Sequence, residues 1–421
     1  MVLDAVVMLR ITALLAGLVA LTQPLAAAPL VADVPTEPAP VSAPKVVTPS
    51  APKHEWVVSD DAIPSFDAGT LARTEAAIER YAAIVAAGGW PKVPAGITRE
   101  SHGPEVTALR QRLAAENYLP SEASKGDGWD ADLTAALENF QTNLALRKTG
   151  LPAGATLVAL NMSAEDRLRA LRATARRLAT YNFAFGPRHV VVNIPSAAVE
   201  AVDGGRVARR YTAVVGDTKH RSPEIAARVQ SINLNPTWTV PTSIIRNEII
   251  PHMRKDPTYL ARQKIRILDV KGQEIDPLTI DWSGDKALAY LFRQDSGVQN
   301  SLGAIRINMP NREAVYLHDT PSKRAFSAND RFLSHGCVRV DGVWDLAAWL
   351  MEGTESGRWN RMSLLSQASD GEPAELKLSR SVPVIWVYMT AWAGPDGVVR
   401  FRPDVYHYDL FDPESVKSAL N

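Results

Sequence analysis

Cysteine is nearly missing from this chain. One residue in 421, Cys337, carries a thiol, so no disulfide can form within it. An excess of charge of one sign is missing as well, since Lys plus Arg and Asp plus Glu both number 46. That balance gives no electrostatic reason to bind nucleic acid, and no basic run of the kind that tracks phosphates is present. The densest positive cluster, Arg167, Arg169, Arg172, Arg176 and Arg177, reads as the solvated side of one helix. Beyond the opening residues no segment is apolar and long enough to span a bilayer, and no internal repeat is visible. Hydrophobic residues at 46% and charged residues at 22% are ordinary for a globular protein. The length predicts two or three folded units.

What is present begins with a targeting segment. Arg10 precedes the apolar run Ile11 to Leu21, and the small residues Ala26-Ala27-Ala28 follow, the three parts of a secretory signal. Met8-Leu9-Arg10 makes a cleaner basic start than one containing Asp4, so Met8 is the alternative first residue. Pro29 is a poor neighbour for cleavage after Ala28, which leaves an uncleaved membrane tether as the alternative to removal. Export gives the lone cysteine meaning. An unpaired thiol in an oxidising compartment is a liability unless it is buried, linked to a partner, or reactive by design. Burial is the commoner fate, so the neighbours of Cys337 must decide.

Residues 29–59 are dense in Pro, Ala and Val without periodicity, as in an extended linker. From 60 to 161 the pattern is helical. Leu71, Ile78 and Ile84 punctuate an Ala-rich helix; Pro104 opens another with Val106, Leu109 and Leu113 on one face; Leu133, Leu137, Phe140 and Leu144 mark a third. Ser163 to Asp166 caps a connecting helix within residues 162–186. After Pro187 the period switches to two. His189 to Ile194 reads as a strand, Val199–Val202 and Val207–Val215 as a hairpin about Asp203-Gly204-Gly205, and Val384–Trp392 and Val398–Arg402 as another about Gly394 to Gly397. A polar stretch of about 244–297, rich in Arg, Lys and Asp, interrupts the strands and reads as a helical insertion of the kind that covers a site. Residues 412–421 are left as a tail. The fold class expected is α+β and multi-domain.

The chemistry concentrates in two runs, Ser334-His335-Gly336-Cys337-Val338-Arg339-Val340 and Val315-Tyr316-Leu317-His318-Asp319-Thr320-Pro321. A thiol with an ordinary pKa is a few per cent thiolate at neutral pH, so a nucleophilic cysteine needs a base or a positive neighbour. Both are close in sequence. Gly336 permits a tight turn that exposes the sulfur and aims backbone N–H groups at one point. Alternation of Val315 and Leu317 with Tyr316 and His318 sends His318 to one strand face, where it can meet Cys337 from the next strand. The remaining histidines, His54, His102, His189, His220, His252 and His407, are read as structural, and Trp238, Trp386 and Trp392 as core aromatics.

These two runs resemble the L,D-transpeptidase (YkuD-type) catalytic domain, with its upstream His followed by Ser/Thr-His-Gly-Cys-x-Arg. The likeness extends to the long-chain periplasmic branch (YcbB-like) through Gly88-Gly89-Trp90-Pro91, Val192 to Pro195, Asn235 to Pro241, Asn300 to Gly303, Tyr316 to Pro321 and Thr390-Ala391-Trp392. Asp295-Ser296-Gly297 departs from it, because that branch usually has Pro before the Gly. Residues 106–160 resemble the three-helix peptidoglycan-binding domain, through Leu109, Leu113, Tyr118-Leu119, Trp129-Asp130, Phe140-Gln141, Gly150-Leu151, Gly154 and Thr156. The resemblance implies a helical scaffold over 60–161, with the binding-like domain at about 103–161, and a mostly-β catalytic domain over 187–411. It implies a periplasmic enzyme that forms a Cys337 thioester with peptidoglycan stem tetrapeptides, releases D-alanine and transfers the acyl group to an amine, giving 3-3 crosslinks. His318 is then the general acid/base, oriented by the Asp319 carbonyl. Backbone N–H groups of Gly336, Cys337 and His335 are the oxyanion donors, and Ser334, Tyr316 and Arg339 support loop or substrate. Arg339 either braces the loop or faces the substrate. No metal or cofactor is implied, and β-lactams of the carbapenem type are the implied covalent inhibitors.

Rival readings fare worse. Ser-x-x-Lys at Ser42–Lys45 and Ser50–Lys53 with Lys148-Thr149-Gly150 is the vocabulary of a serine penicillin-binding enzyme. Both tetrads contain Pro and lie in the linker, and no Ser-Asp-Asn stands between them and the Lys-Thr-Gly. A papain-like peptidase would need its His far downstream of the Cys. The non-enzyme alternative is a wall-binding structural protein, and the nearer enzymatic alternatives are an L,D-carboxypeptidase or a lipoprotein-attaching variant.

Overall fold

The computed structural model describes residues 55–352 and 359–410; the targeting segment, most of the linker and the C-terminal tail lie outside them. Within the described residues no helix is long and apolar enough to cross a membrane. The linker expected through residue 59 has already given way to folded chain at Glu55. Trp56 forms a bridge with Leu146, and the Glu55 carboxylate accepts the Ala155 N–H. One aromatic anchor in a Pro- and Ala-rich run is enough to dock it, and composition does not register that.

The helical part consists of α1 (Thr70–Ala86), α2 (Pro104–Ala114), α3 (Ala131–Asn143), α4 (Ala155–Leu160) and α5 (Ala164–Leu178). Val106, Leu109, Leu113, Leu133, Leu137, Phe140 and Leu144 form the core of α2 and α3, as their spacing predicts. α1 behaves differently. Its buried residues are Thr70, Thr74, Ala77 and Tyr81, not the Leu71, Ile78 and Ile84 stripe. It packs beside α5 and against a small hairpin near the C-terminus, where short side chains allow close approach. α5 is likewise part of the packed layer. Ser163 caps it by accepting the Asp166 N–H at 3.0 Å, but its arginines are not all solvated. Arg167 is 1% exposed and pairs with Glu116, and Arg177 reaches Asp409 at 2.7 Å.

The strands are β1 (Arg188–Asn193), β2 (Ala198–Asp203), β3 (Arg206–Gly216), β4 (Ile225–Leu234), β5 (Trp238–Thr239), β6 (Ile265–Leu268), β7 (Glu274–Ile275), β8 (Leu291–Gln294), β9 (Ile305–Asn308), β10 (Leu317–His318), β11 (Phe332–Ser334), β12 (Val338–Val340), β13 (Ala374–Val387), β14 (Ala391–Ala393) and β15 (Val399–Phe401). Nine of them form one sheet in the order β11-β3-β12-β10-β9-β4-β13-β1-β2, and β2 also pairs with β3, closing the sheet on itself. Inward residues such as Val190, Val192, Ile232, Ile307, Leu317, Val338, Val340 and Trp386 fill the closed sheet, together with Val343, Leu346 and Leu350 of the helix Val343–Met351. On the outer side Val191, Ile385, Val387 and Trp392 meet Leu178 and Phe66. The first expected hairpin is present as β2–β3. The second is shorter than expected: β13 ends at Val387, and only β14 and β15 flank the turn.

The insertion is not mainly helical. Short helical turns between Thr242 and Arg262 sit on a four-stranded sheet, β5-β8-β6-β7. It has its own core of Val240, Ile245, Ile249, Ile250, Met253, Leu260, Ile267 and Phe292. Strands of two to four residues are too short to show a period among so many charges. A core of this size makes the insertion a folded wall and not a loose cover.

Candidate active site

β10 and β12 run parallel, with Leu317 opposite Val338 and His318 opposite Arg339. The two-residue period does the rest. Leu317, Val338 and Val340 turn into the sealed core, while Tyr316, His318, Cys337 and Arg339 line a cavity of about 210 Å³ on the other side. β9 sets Arg306 opposite His318, and β4 sets Asn233 opposite Arg306. Asn233, Arg306, His318 and Arg339 therefore form one row across four strands. Arg306 donates to Asn233 Oδ1 at 3.0 and 3.2 Å, and its guanidinium lies 5.4 Å from the Tyr316 ring centroid.

Cys337 is partly exposed by area although protein crowds it. Burial pushes its thiol up to about 11, against the opposing pull of hydrogen bonding from Tyr316 and of charge from Arg339 and Arg306. His318 is 5% exposed. Burial first and the Arg339 charge second push its imidazole down to about 3, with the backbone of Asp319 and Leu302 acting the other way. The two shifts leave a neutral thiol beside a neutral imidazole at physiological pH. No hydrogen bond joins them among the described residues, and His318 Nδ1 has no partner of good geometry. Catalytic hydrogen bonds are commonly loose until substrate is bound.

The expected site residues come together with some differences of detail. Ser334 Oγ donates to the Cys337 carbonyl at 2.5 Å and accepts the Gly336 N–H at 3.2 Å. The Gly336 N–H is thus already spent, whereas none of the hydrogen bonds among the described residues uses the amides of His335 and Cys337. Gly336 has φ +104°, a backbone that side chains rarely adopt. The Asp319 carboxylate is tied to Lys323 and to the Ala304 N–H, so only its backbone is left to act on His318. Arg339 faces the cavity. Its Nε is buried without a partner, and no ion pair or hydrogen bond among the described residues engages its head group.

Several contributors were not foreseen. Ser222 Oγ donates to the Gly336 carbonyl at 2.8 Å and accepts the Gly216 N–H at 2.9 Å; Tyr406 donates to the Gly216 carbonyl at 2.6 Å and accepts the Ser222 N–H. This mesh holds the turn that carries Cys337. His220 stands beside it, its ring 4.4 Å from that of His335. Trp238, expected in the core, lines the cavity, as do Glu248 and Tyr259 of the insertion. His335 Nε2 lies 2.8 Å from Glu248 Oε1. A cluster assembled from β5, the insertion and a distant loop leaves no local signal; only the pairing of strands reveals it.

Residues 187–358 match the model of the YkuD family, the L,D-transpeptidase catalytic domain. A putative L,D-transpeptidase of Haemophilus influenzae is 33% identical over 221 residues, which are 52% of this chain and 44% of that protein. The chain thus spans under half the length of this curated relative. Among solved structures, the L,D-transpeptidase (residues 123–326) of Xylanimonas cellulosilytica is 18% identical over 70% of this chain and 98% of its own, with a TM-score of 0.22. That of Stackebrandtia nassauensis is 15% identical over 60% and 87%, with a TM-score of 0.25.

Proposed function

We propose that this protein, whose residues 187–358 match the model of the L,D-transpeptidase (YkuD) catalytic domain, is an L,D-transpeptidase of the cell envelope acting on peptidoglycan stem peptides through a Cys337 thioester. The observation that carries the reading is the shared face of β10 and β12, which puts Cys337 and His318 into one walled cavity. In this reading Cys337 Sγ attacks the carbonyl between the third stem residue and the terminal D-alanine while neutral His318 takes the thiol proton. The unpaired amides of Cys337 and His335 hold the oxyanion. The C–N bond breaks, the proton passes from His318 to the departing D-alanine amine, and a thioester remains. An acceptor amine then attacks, His318 takes its proton, the C–S bond breaks and the proton returns to sulfur. Another stem peptide as acceptor gives a 3-3 crosslink; water gives a tripeptide. Export of the chain rests on the Arg10 to Ala28 segment. In this reading the same attack opens the strained amide of a β-lactam and leaves an acyl-thioester on Cys337.

Incubation of the purified protein with a disaccharide tetrapeptide tests this. Intact mass should show one tripeptidyl adduct per chain, and the soluble products should include crosslinked dimer. Cys337→Ser should fold normally and form neither. An adduct that survives in that variant would move the nucleophile to a serine, and no adduct on the wild type would favour a non-catalytic, wall-binding protein.

A further inference from the structure

One carboxylate lines the cavity over Cys337. The nitrogen-bearing ionisable groups there, His318, His335 and Arg339, all come from the barrel, whereas Glu248 comes from the facing insertion. Glu248 lies in a π-turn, Ile245–Ile249, closed by the Ile250 N–H on the Ile245 carbonyl; such turns recur at functional sites. Its side chain is 43% exposed, and its Oε1 already holds a nitrogen, His335 Nε2 at 2.8 Å, on a residue two positions from the nucleophile. The rest of the cavity's fixed charge is positive. Arg339 lies beside the sulfur and has no anionic partner among the described residues. A primary amine arrives as an ammonium at neutral pH, and a cavity furnished with Arg339 alone would repel it.

We propose that Glu248 is the residue that selects the acceptor. It receives the ammonium of an incoming primary amine in place of the His335 ring, and so favours aminolysis of the thioester over hydrolysis. This rests on the thioester reading above. The step balances: R–NH3+ bound at Glu248 gives one proton through that carboxylate to solvent and attacks the thioester carbonyl as R–NH2. Its second proton goes to His318, the C–S bond breaks, and His318 returns that proton to the sulfur. Amide, thiol and one released proton are the products. Water carries no charge and gains nothing from Glu248.

The test uses wild type, Glu248→Gln and Glu248→Ala with the tetrapeptide donor, first alone and then with Nα-acetyl-lysine amide as a simple amine acceptor. Acylation is followed by intact mass in a single turnover; the ratio of amide to hydrolysed tripeptide and the acceptor KM are read from products. Glu248→Gln should acylate within about twofold of wild type, yet its amide-to-acid ratio should fall, and its acceptor KM rise, by roughly tenfold or more, the effect of losing a charge-assisted contact. The alternative is a latch that only joins the insertion to the signature loop. In that case Glu248→Gln, which still accepts the His335 N–H, would match wild type in both readouts, and Glu248→Ala would lose acylation and transfer together. Either result overturns the proposal. Failure of the wild type to form an acyl-enzyme overturns the thioester reading and this proposal with it, before any variant is compared.

Discussion

Alkylation of the native protein by iodoacetamide measures the state of the proposed nucleophile, Cys337, directly, because only the thiolate reacts. A thiol at about 11 is ionised to roughly one part in ten thousand at pH 7, whereas a free cysteine is ionised to a few parts in a hundred. Cys337 should therefore react roughly three-hundredfold more slowly than a small-molecule thiol at neutral pH. Its rate should climb tenfold per pH unit from about pH 6 to about pH 10 without levelling off. Replacing Arg339 with Met removes one of the groups that pull the thiol down, so the variant should be slower still. The assay is intact mass against time at fixed reagent, repeated across pH. A rate that rises below pH 7 and then holds flat would mean that a thiolate–imidazolium pair pre-exists. The physical account of both shifts, burial outweighing the arginines at sulfur and reinforced by Arg339 at the imidazole, would then be wrong.

The mesh beneath the signature turn should be sensitive to one methyl group. A Cβ on Gly216 would sit 2.2 Å from the His220 carbonyl oxygen and 2.4 Å from the Ser222 nitrogen, so Gly216→Ala should lower stability by about 1–3 kcal/mol and cut turnover, read as Tm and kcat; an unchanged kcat would show that the mesh does not position Cys337. His318→Gln should abolish turnover and alter the acid limb of stability. An imidazole held near 3 when folded and near 6.5 when unfolded makes native stability full above about pH 6.5 and erodes it as pH falls towards 3; the variant's urea midpoint should lose that part of the slope, and an identical slope would place the shift elsewhere. Trp238→Ala, which opens one wall of the cavity, should raise the donor KM without slowing alkylation of Cys337, and equal loss of both would make Trp238 a structural residue.

Legibility in the sequence followed the range of the interaction. The alternation of Val315 and Leu317 with Tyr316 and His318 is local, and it predicted correctly which face His318 would take. The facing stripe of α2 and α3 is local too. Arg306 was invisible because its relation to His318 is a register between β9 and β10, a pairing that no single segment encodes. Arg167 was misread for a similar reason. On its own helix it belongs to a charged side, and only the arrival of Glu116, 51 residues away, makes burial affordable. α1 was misread because its buried stripe is Thr70, Thr74, Ala77 and Tyr81, where Thr74 gives its hydroxyl hydrogen to the Thr70 carbonyl at 2.7 Å. Hydrophobicity is a poor guide wherever a threonine satisfies itself on its own helix.

The neutral resting state also resolves the conflict that an unpaired thiol would present in the exported protein we propose. Oxidation of a thiol follows its thiolate character and exposure, and in the envelope, where we propose this protein works, a permanently ionised Cys337 would be consumed. Burial raises the thiol, and burial likewise keeps His318 unprotonated and so ready to act as a base. In the proposed mechanism charge appears only when a carbonyl is present to take it up, as the proton moves from sulfur to the imidazole. At that moment Arg339 changes its effect. It opposes a cation on His318 in the resting state, but it favours negative charge on sulfur in the low-dielectric cavity. An arginine with no anionic partner among the described residues, beside the one thiol of the chain, is a placement that in the proposed mechanism stabilises the transition state more than the resting enzyme.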